Sequence, residues 1–351
     1  MRIFLLKNQL NWEYWPSYMF YVPLLPYAFY LALKSRSFGF FSAVNPGIEG
    51  SGNGLESKFK TIELLPPKYK PKSIFIPKNQ SLKKIISDLN STAVKFPLII
   101  KPDIGFRGLL VKKINSEFDL KNYLKKYNSI NLIIQEFIDY KNECGIFYYR
   151  VPGEKEGVIS SVTLKKYLTV LGDGKSTLLS LINASERAEK YLDLILEVNK
   201  EKLNSIPNNK EEIILNFIGN HSKGTQFING NHLINSKLIA MLDILNSEIG
   251  GWNYGRIDVK YNTFEELLEG ENLKILEING VIAEPTHIYD ADNGSYIKAL
   301  KSIKKHWGII YNIGVQNNKM NKIEFTNLKY LITVYFRYKK YLKVIKKLSA
   351  N

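Results

Sequence analysis

One cysteine, Cys144, is all that 351 residues provide, so no intramolecular disulfide can staple this chain and its stability must come from apolar burial. With no cleavable leader pattern, that scarcity fits a reducing, cytoplasmic compartment, and Cys144 reads as a small buried apolar side chain. Acid is also in short supply. Asp and Glu number 33 against 49 Lys and Arg, a net charge of +16, which suits anionic partners such as nucleotides, nucleic acid or the inner face of a membrane. Residues 337–351 hold no acid, and Arg337, Lys339, Lys340, Lys343, Lys346 and Lys347 interleave there with Tyr338, Tyr341, Leu342, Val344, Ile345 and Leu348. That pattern predicts a basic amphipathic helix. No internal repeat is present, and no nucleic-acid reader motif, so the charge alone does not point to nucleic acid. A Walker A loop is missing as well: the DGKST run at 173–177 would need glycine where Thr169 stands, and reads instead as a turn into a helix.

Charge itself is absent from Tyr14 to Leu33. The run is long enough to span a bilayer. Pro16, Pro23 and Pro26 would break a straight helix, however, and Tyr14, Tyr18, Tyr21, Tyr27, Tyr30, Trp12 and Trp15 are of the types that prefer the membrane interface. The reading is a broken, interfacial or re-entrant segment at a membrane surface, with a buried intramolecular or dimer contact and a true span as alternatives. The stretch NPGIEGSGNG at 45–54 follows, read as a mobile or ligand-covering loop.

At 45% hydrophobic content the chain has the composition of a folded protein, with length for two or three lobes. Apolar, β-branched runs predict strands at 73–76, 97–100, 109–114, 131–134, 157–163, 213–218, 256–261 and 273–278. Amphipathic spacing predicts helices at 81–90, 116–127, 176–200, 235–249 and 295–308. The class is mixed α/β.

The densest chemistry lies in GGWNYGRIDVKY at 250–261 and LKILEING at 273–280. Strand alternation puts Arg256 and Asp258 on one face, and Glu277 and Asn279 on one face of the partner strand. Two carboxylates and an amide oxygen are hard ligands that suit one or two magnesium ions, or manganese, holding nucleotide phosphates, and Arg256 could neutralise a transferring phosphoryl group. The bland reading is a hairpin with its charged face in water. Upstream, FPLIIKPDIGFRG at 96–108 predicts a buried strand ending at Lys101, then a loop whose Gly105 and Gly108 let backbone amides approach an anion, with Arg107 adding charge. In IIQEFIDYKNE at 133–143, a strand leads to Glu136, Phe137 and Ile138, which could face an adenine edge, and to Glu143, which could accept from ribose hydroxyls.

Lysine strand, glycine loop, hinge with acid, then R-x-D and E-x-N strands: in this order the motifs resemble the ATP-grasp superfamily over roughly residues 55–290. GWNYGRIDV and LEING resemble strands of D-alanine:D-alanine ligases, and VLGDGKSTLLSLI at 170–182 resembles the ATP-grasp module of cyanophycin synthetases. The resemblance implies an α/β (α+β) ATP-grasp fold with two lobes clasping nucleotide, an atypical short aromatic N-terminal region and a basic C-terminal helix. It implies ATP and Mg2+ as cofactors and an acyl phosphate that an amine attacks, joining a small carboxylate to a small amine. Lys101 would touch phosphates, Gly105 to Gly108 would form the lid with Arg107, Glu136, Phe137 and Ile138 would line adenine, and Glu143 would bind ribose. Asp258, Glu277 and Asn279 would hold metal, and Arg256 would stabilise the reacting centre. Lys58, in GLESK, resembles an earlier nucleotide lysine of the superfamily, and Lys165 sits where another phosphate-facing base is expected. Three regions follow: 1–60; 61–290, with lobes near 95–180 and 181–290; and 291–351. After Asn279 the chain reads GVIAEPTHIYD and not the Ser-Pro-Gly loop of the D-alanine ligases, so D-alanyl-D-alanine synthesis is not implied, and Glu284, Thr286 and His287 become candidates for a different acceptor site. The alternative from another class is a non-catalytic nucleotide-binding scaffold at a membrane surface.

Overall fold

In the computed structural model, which describes residues 11–105 and 107–349, the chain divides into two compact units. The larger runs through Thr163 and resumes at Asn229; the smaller is Leu164–Ile228. The division differs from the three regions read in sequence: residues 11–59 and 291–349 belong to the larger unit.

The first sheet of the larger unit contains β1 (Ser73–Ile76), β2 (Leu98–Pro102), β3 (Lys112–Ile114) and β4 (Leu132–Glu136), in the order β1-β4-β2-β3 and antiparallel throughout. Helices Leu82–Thr92 and Glu117–Tyr127 cover it, burying Ile85, Leu89, Leu120 and Leu124 against Ile76, Leu98, Ile100 and Ile134. Serine begins both helices: Ser81 and Ser116 accept the amides of Lys84 and Asp119, satisfying donors that the first turn leaves unpaired. The expected strand at 109–114 shortens to β3 because Leu110 takes a left-handed backbone, φ 59°.

The second sheet holds the polar motifs. Its strands are β5 (Asn142–Tyr149), β6 (Val158–Lys166), β9 (Gln226–Asn229), β10 (Tyr254–Tyr261) and β11 (Leu273–Asn279), in the order β11-β10-β5-β6-β9. The chain leaves the larger unit along β6 and returns along β9. The smaller unit pairs β7 (Thr169–Leu171) with β8 (Glu212–Ile214) over a core of Val170, Leu178, Ile182, Ile195 and Leu215. The long helix expected at 176–200 is three short ones, Leu178–Asn183, Glu186–Glu189 and Leu192–Asn199, because Ser185 accepts the Ala188 amide and starts a new helix.

The N-terminal aromatic run packs inward on one side. It winds through Tyr18–Tyr21, Val22–Leu24 and Leu25–Ser35. Phe20 and Leu24 join Ile288, Ala299 and Ile303 in one core, and the Trp12 indole donates to the Ile288 carbonyl at 3.1 Å. Among the described residues no helix is long and apolar enough to cross a membrane. The Gly-rich stretch is docked rather than mobile. Asn45 is fully buried, its side chain bonding the backbone of Ser51, Asn253 and Tyr254, and the Val281 amide donates to the Ser51 carbonyl at 2.9 Å. The helix expected at 295–308 extends over Tyr296–Asn321, and the basic C-terminal helix is Leu328–Ser349, anchored by Ile345 in the first sheet's core.

Candidate active site

Register brings the polar face of the second sheet together. Asp258 lies directly opposite Glu277, and Arg256 opposite Asn279. On the other flank of β10, Gly145 of β5 faces Asp258 and Glu143 faces Lys260. Because residues opposite one another across antiparallel strands share a face, these groups line one surface while Ile257, Val259, Ile278, Cys144 and Ile146 turn into the core. A Cβ on Gly145 would come within 3.0 Å of the Arg256 Cδ and 3.2 Å of the Asp258 Oδ1, so the space that glycine leaves holds that pair. The Arg256 guanidinium grips Asp258 with Nε to Oδ1 at 2.9 Å and Nη2 to Oδ2 at 3.2 Å, and its Nη1 donates to the Glu284 carbonyl at 3.1 Å. Burial opposes the Arg256 charge, yet the Asp258 carboxylate beside it raises its pKa overall.

Two lysines reach this face from elsewhere. Lys58 begins the helix Lys58–Glu63; its amide donates to the Asp103 carbonyl at 3.0 Å, and the Asp103 carboxylate accepts from the Ser57 hydroxyl at 2.8 Å and the Phe59 amide at 3.0 Å. That cap aims the Lys58 side chain, which forms an ion pair with Glu277. Burial works to lower the Lys58 pKa, but the Glu277 carboxylate overrides it and the pKa is raised. Glu277 is lowered: burial and Asp258 push it up, and Lys58 and Lys101 outweigh them. Lys101, near the end of β2, donates to the Gln135 side-chain oxygen at 3.2 Å and the Leu276 carbonyl at 3.3 Å. With only neutral acceptors in direct contact, burial dominates and its pKa falls to about 8.

The remaining predicted residues divide. Gly105 lies against Lys58, where a Cβ would meet the Lys58 Cε at 2.9 Å, and Arg107 and Gly108 follow with φ 44° and 74°. Phe106, inside the expected lid, lies outside the described residues. Glu136 bonds to Lys72: its amide donates to the Lys72 carbonyl at 2.9 Å and its carboxylate accepts from the Lys72 amide at 2.8 Å. Phe137 and Ile138 lie in the connection to β5, where the Lys113 ammonium sits 3.8 Å from the Phe137 ring centroid. Glu143 is on β5, not in the hinge. Lys165 stands near the end of β6, in the smaller unit.

At the other end of the face, Glu284 is held by two phenols, Tyr21 on Oε1 and Tyr289 on Oε2 at 2.8 Å, and burial raises its pKa. His287 Nδ1 pairs with the Ser161 hydroxyl at 2.7 Å, and burial lowers its pKa to about 4. The Thr286 hydroxyl is buried without a partner. Sequence reasoning missed Glu56, Asp103 and Gln135, all buried. The alternation E-x-K in GLESK and K-x-D in IIKPD was the available signal, since it sets an acid two residues from each lysine.

Magnesium takes oxygen ligands and is commonly held by one or two carboxylates together with substrate phosphates. Asp258 and Glu277 meet that description, and Asn279, whose Nδ2 is buried without a hydrogen-bond partner, completes a set of two acids and one amide. Among the described residues no group of three or more His, Cys, Asp or Glu could hold a metal, so a cation here needs the amide and substrate oxygens as well. In the protein alone, Lys58 and Arg256 neutralise the two acids.

Residues 56–165 match the RimK-like ATP-grasp domain. The match contains Lys58, Lys101 and Glu143 and ends before Arg256. No curated protein matches the chain. Similar solved structures include the VanG D-Ala:D-Ser ligase from Enterococcus faecalis, 12% identical with TM-score 0.41, over 74% of this chain and 61% of that one. The D-alanine–D-alanine ligase from Bacillus anthracis is 11% identical with TM-score 0.42, over 76% of this chain and 69% of that one. A bifunctional glutathione synthetase from Pasteurella multocida is 16% identical with TM-score 0.36, over 72% of this chain and 36% of that one. This chain thus spans less than two thirds of the VanG ligase and of the glutathione synthetase. Residues 56–165 of this chain, under half of its length, are thus similar to the RimK-like ATP-grasp domain.

Proposed function

We propose that the protein is an ATP- and magnesium-dependent ligase that joins a carboxylate to an amine through an acyl phosphate. The observation that carries the reading is the cross-strand face, where Asp258 opposes Glu277 and Arg256 opposes Asn279, with the Lys58 ammonium on Glu277. Lys58, Lys101 and the Gly105–Gly108 loop with Arg107 bind the nucleotide phosphates; Phe137 and Ile138, with Glu136 as a backbone anchor, line adenine; Glu143 takes the ribose. Asp258, Glu277 and Asn279 hold Mg2+, which supplies charge neutralisation at the phosphates. A carboxylate oxygen of the substrate attacks the γ-phosphorus and the bond to ADP breaks. The amine then attacks the acyl carbon, and inorganic phosphate leaves with the C–O electron pair. Arg256 stabilises the charge that builds at both steps, and positioning contributes the rest. Glu284, Thr286 and His287 form the acceptor end, where the chain departs from the Ser-Pro-Gly loop.

A second reading, a nucleotide-binding scaffold without ligation, is favoured by one observation: both acids are already neutralised by Lys58 and Arg256, as in a structural ion-pair network. An activity screen separates the two. Amino acids, peptides and sugar acids are paired as carboxylate and amine with Mg-ATP, and phosphate release is measured. The ligase reading expects release that depends on both partners of at least one pair; ATP binding with no release from any pair supports the scaffold.

A further inference from the structure

The segment that packs Phe20, Leu24 and Leu31 inward is apolar on its outer side too. Tyr18, Val22, Leu25, Phe29 and Leu33, spaced by three and four residues, form an outward stripe, each between 53 and 61% exposed. The Leu328–Ser349 helix repeats the arrangement: Ile345 turns inward, while Leu328, Ile332, Tyr335 and Phe336 turn outward, followed along the same side by Lys339 and Lys343. The two stripes adjoin. Phe38, itself exposed, contacts Phe29 with ring centroids 6.1 Å apart; Gly39 lies against the Thr326 backbone; and the Thr326 amide donates to the Ser42 hydroxyl at 2.9 Å. Cations frame the patch. Lys34 sits over Tyr30 at 5.8 Å, Lys304 over Tyr27 at 5.0 Å and Lys339 over Tyr335 at 5.1 Å, and no acid occurs from 328 to 349.

We infer that this double stripe is a docking face for an anionic phospholipid surface. Helical segments apolar on both sides are satisfied only when each side is covered, and here the protein covers one. Aromatic and aliphatic residues framed by lysine and arginine suit the headgroup boundary, where rings sink in and ammonium groups meet phosphate. The face lies on the membrane and does not cross it, since no described helix is long and apolar enough. A second copy of the chain is the poorer occupant, because a symmetric contact would set one acid-free basic helix against another. Tyr21, between the docking residues Tyr18 and Val22, turns the other way to hold Glu284, so one segment serves both the docking face and the acceptor end.

The test uses the full chain and vesicles of phosphatidylcholine with or without phosphatidylserine. The protein is expected to pellet with the phosphatidylserine vesicles at low salt, to bind phosphatidylcholine alone at least roughly tenfold less, and to lose much of its binding at high salt. Two variants change exposed positions on separate elements. Leu25→Ser with Phe29→Ser and Leu33→Ser, and independently Lys339→Glu with Lys343→Glu, should each weaken partitioning roughly tenfold or more while thermal melting stays cooperative. Folded wild-type protein that ignores phosphatidylserine vesicles at low salt overturns the inference. So does unchanged binding by both variants, a dimer that the serine variant dissociates without any vesicle effect, or binding of RNA in place of vesicles.

Discussion

Two lysines arrive at the same face from different regions, the half-buried Lys58 from a capped helix start and the buried Lys101 from the end of a sheet strand. Burial opposes the charge on both, yet the Lys58 pKa is raised and the Lys101 pKa falls to about 8. The difference is the partner. Lys58 meets a carboxylate, whereas Lys101 meets an amide oxygen and a backbone carbonyl. One region is electrostatically complete without ligand; the other keeps a cation whose desolvation is poorly compensated, as suits a group that waits for an anion.

The largest effect that could break this contrast is on stability. Lys58→Met strands the Glu277 carboxylate beside Asp258 and should cost about 2–4 kcal/mol in urea unfolding, whereas Lys101→Met removes a poorly compensated charge and should be neutral within about 1 kcal/mol. Equal losses would show that the partner does not decide. Nucleotide binding sharpens the contrast next: Lys101→Ala should weaken ATP affinity by about 1.5–3 kcal/mol in calorimetry, the scale of a charge-assisted hydrogen bond.

The pH dependence follows from the direction of the Lys101 shift. Lys58, Glu277, Asp258 and Glu143 all bear on its titration. Its folded pKa of about 8 lies below the ordinary lysine value of 10.5, so between those values the unfolded chain binds the extra proton and the Lys101 contribution to stability improves as pH rises. Over the same range the neutral amine loses its attraction for phosphate, and ATP affinity should fall as pH rises through about 8. Lys101→Met should flatten both trends relative to the wild type. The smallest effect belongs to Glu143→Ala, about 0.5–1.5 kcal/mol in ATP affinity, because a ribose contact positions the nucleotide without neutralising charge. A loss equal to that of Lys101→Ala would contradict the assignment.

Strand alternation was enough to set Arg256 with Asp258, and Glu277 with Asn279, each pair on one face of its strand; joining the two pairs on a common face took the β10–β11 register. Alternation could not supply the partner strand. β5 escaped because Asn142, Glu143 and Gly145 are poor strand formers, and only its position between β10 and β6 makes Gly145 necessary. Local pattern likewise placed Lys101 at the end of a buried run, but not Glu136 on Lys72 or Lys58 on Glu277, which join residues 64 and 219 positions apart. The aromatic run at 12–33 read as interfacial from composition. Its inward half depends on the Tyr296–Asn321 helix, to which no spacing within the run could point.

The central claim is that Asp258 and Glu277 form a magnesium seat for ATP chemistry on a face already furnished with cations. Calorimetry of ATP binding with and without Mg2+, on wild type and on Asp258→Asn and Glu277→Gln, tests it most directly, with circular dichroism to verify that each variant folds. The account predicts tight binding only for wild type with Mg2+ and loss of ATP turnover in both variants. Equal, metal-independent binding and equal turnover in all three proteins would contradict it.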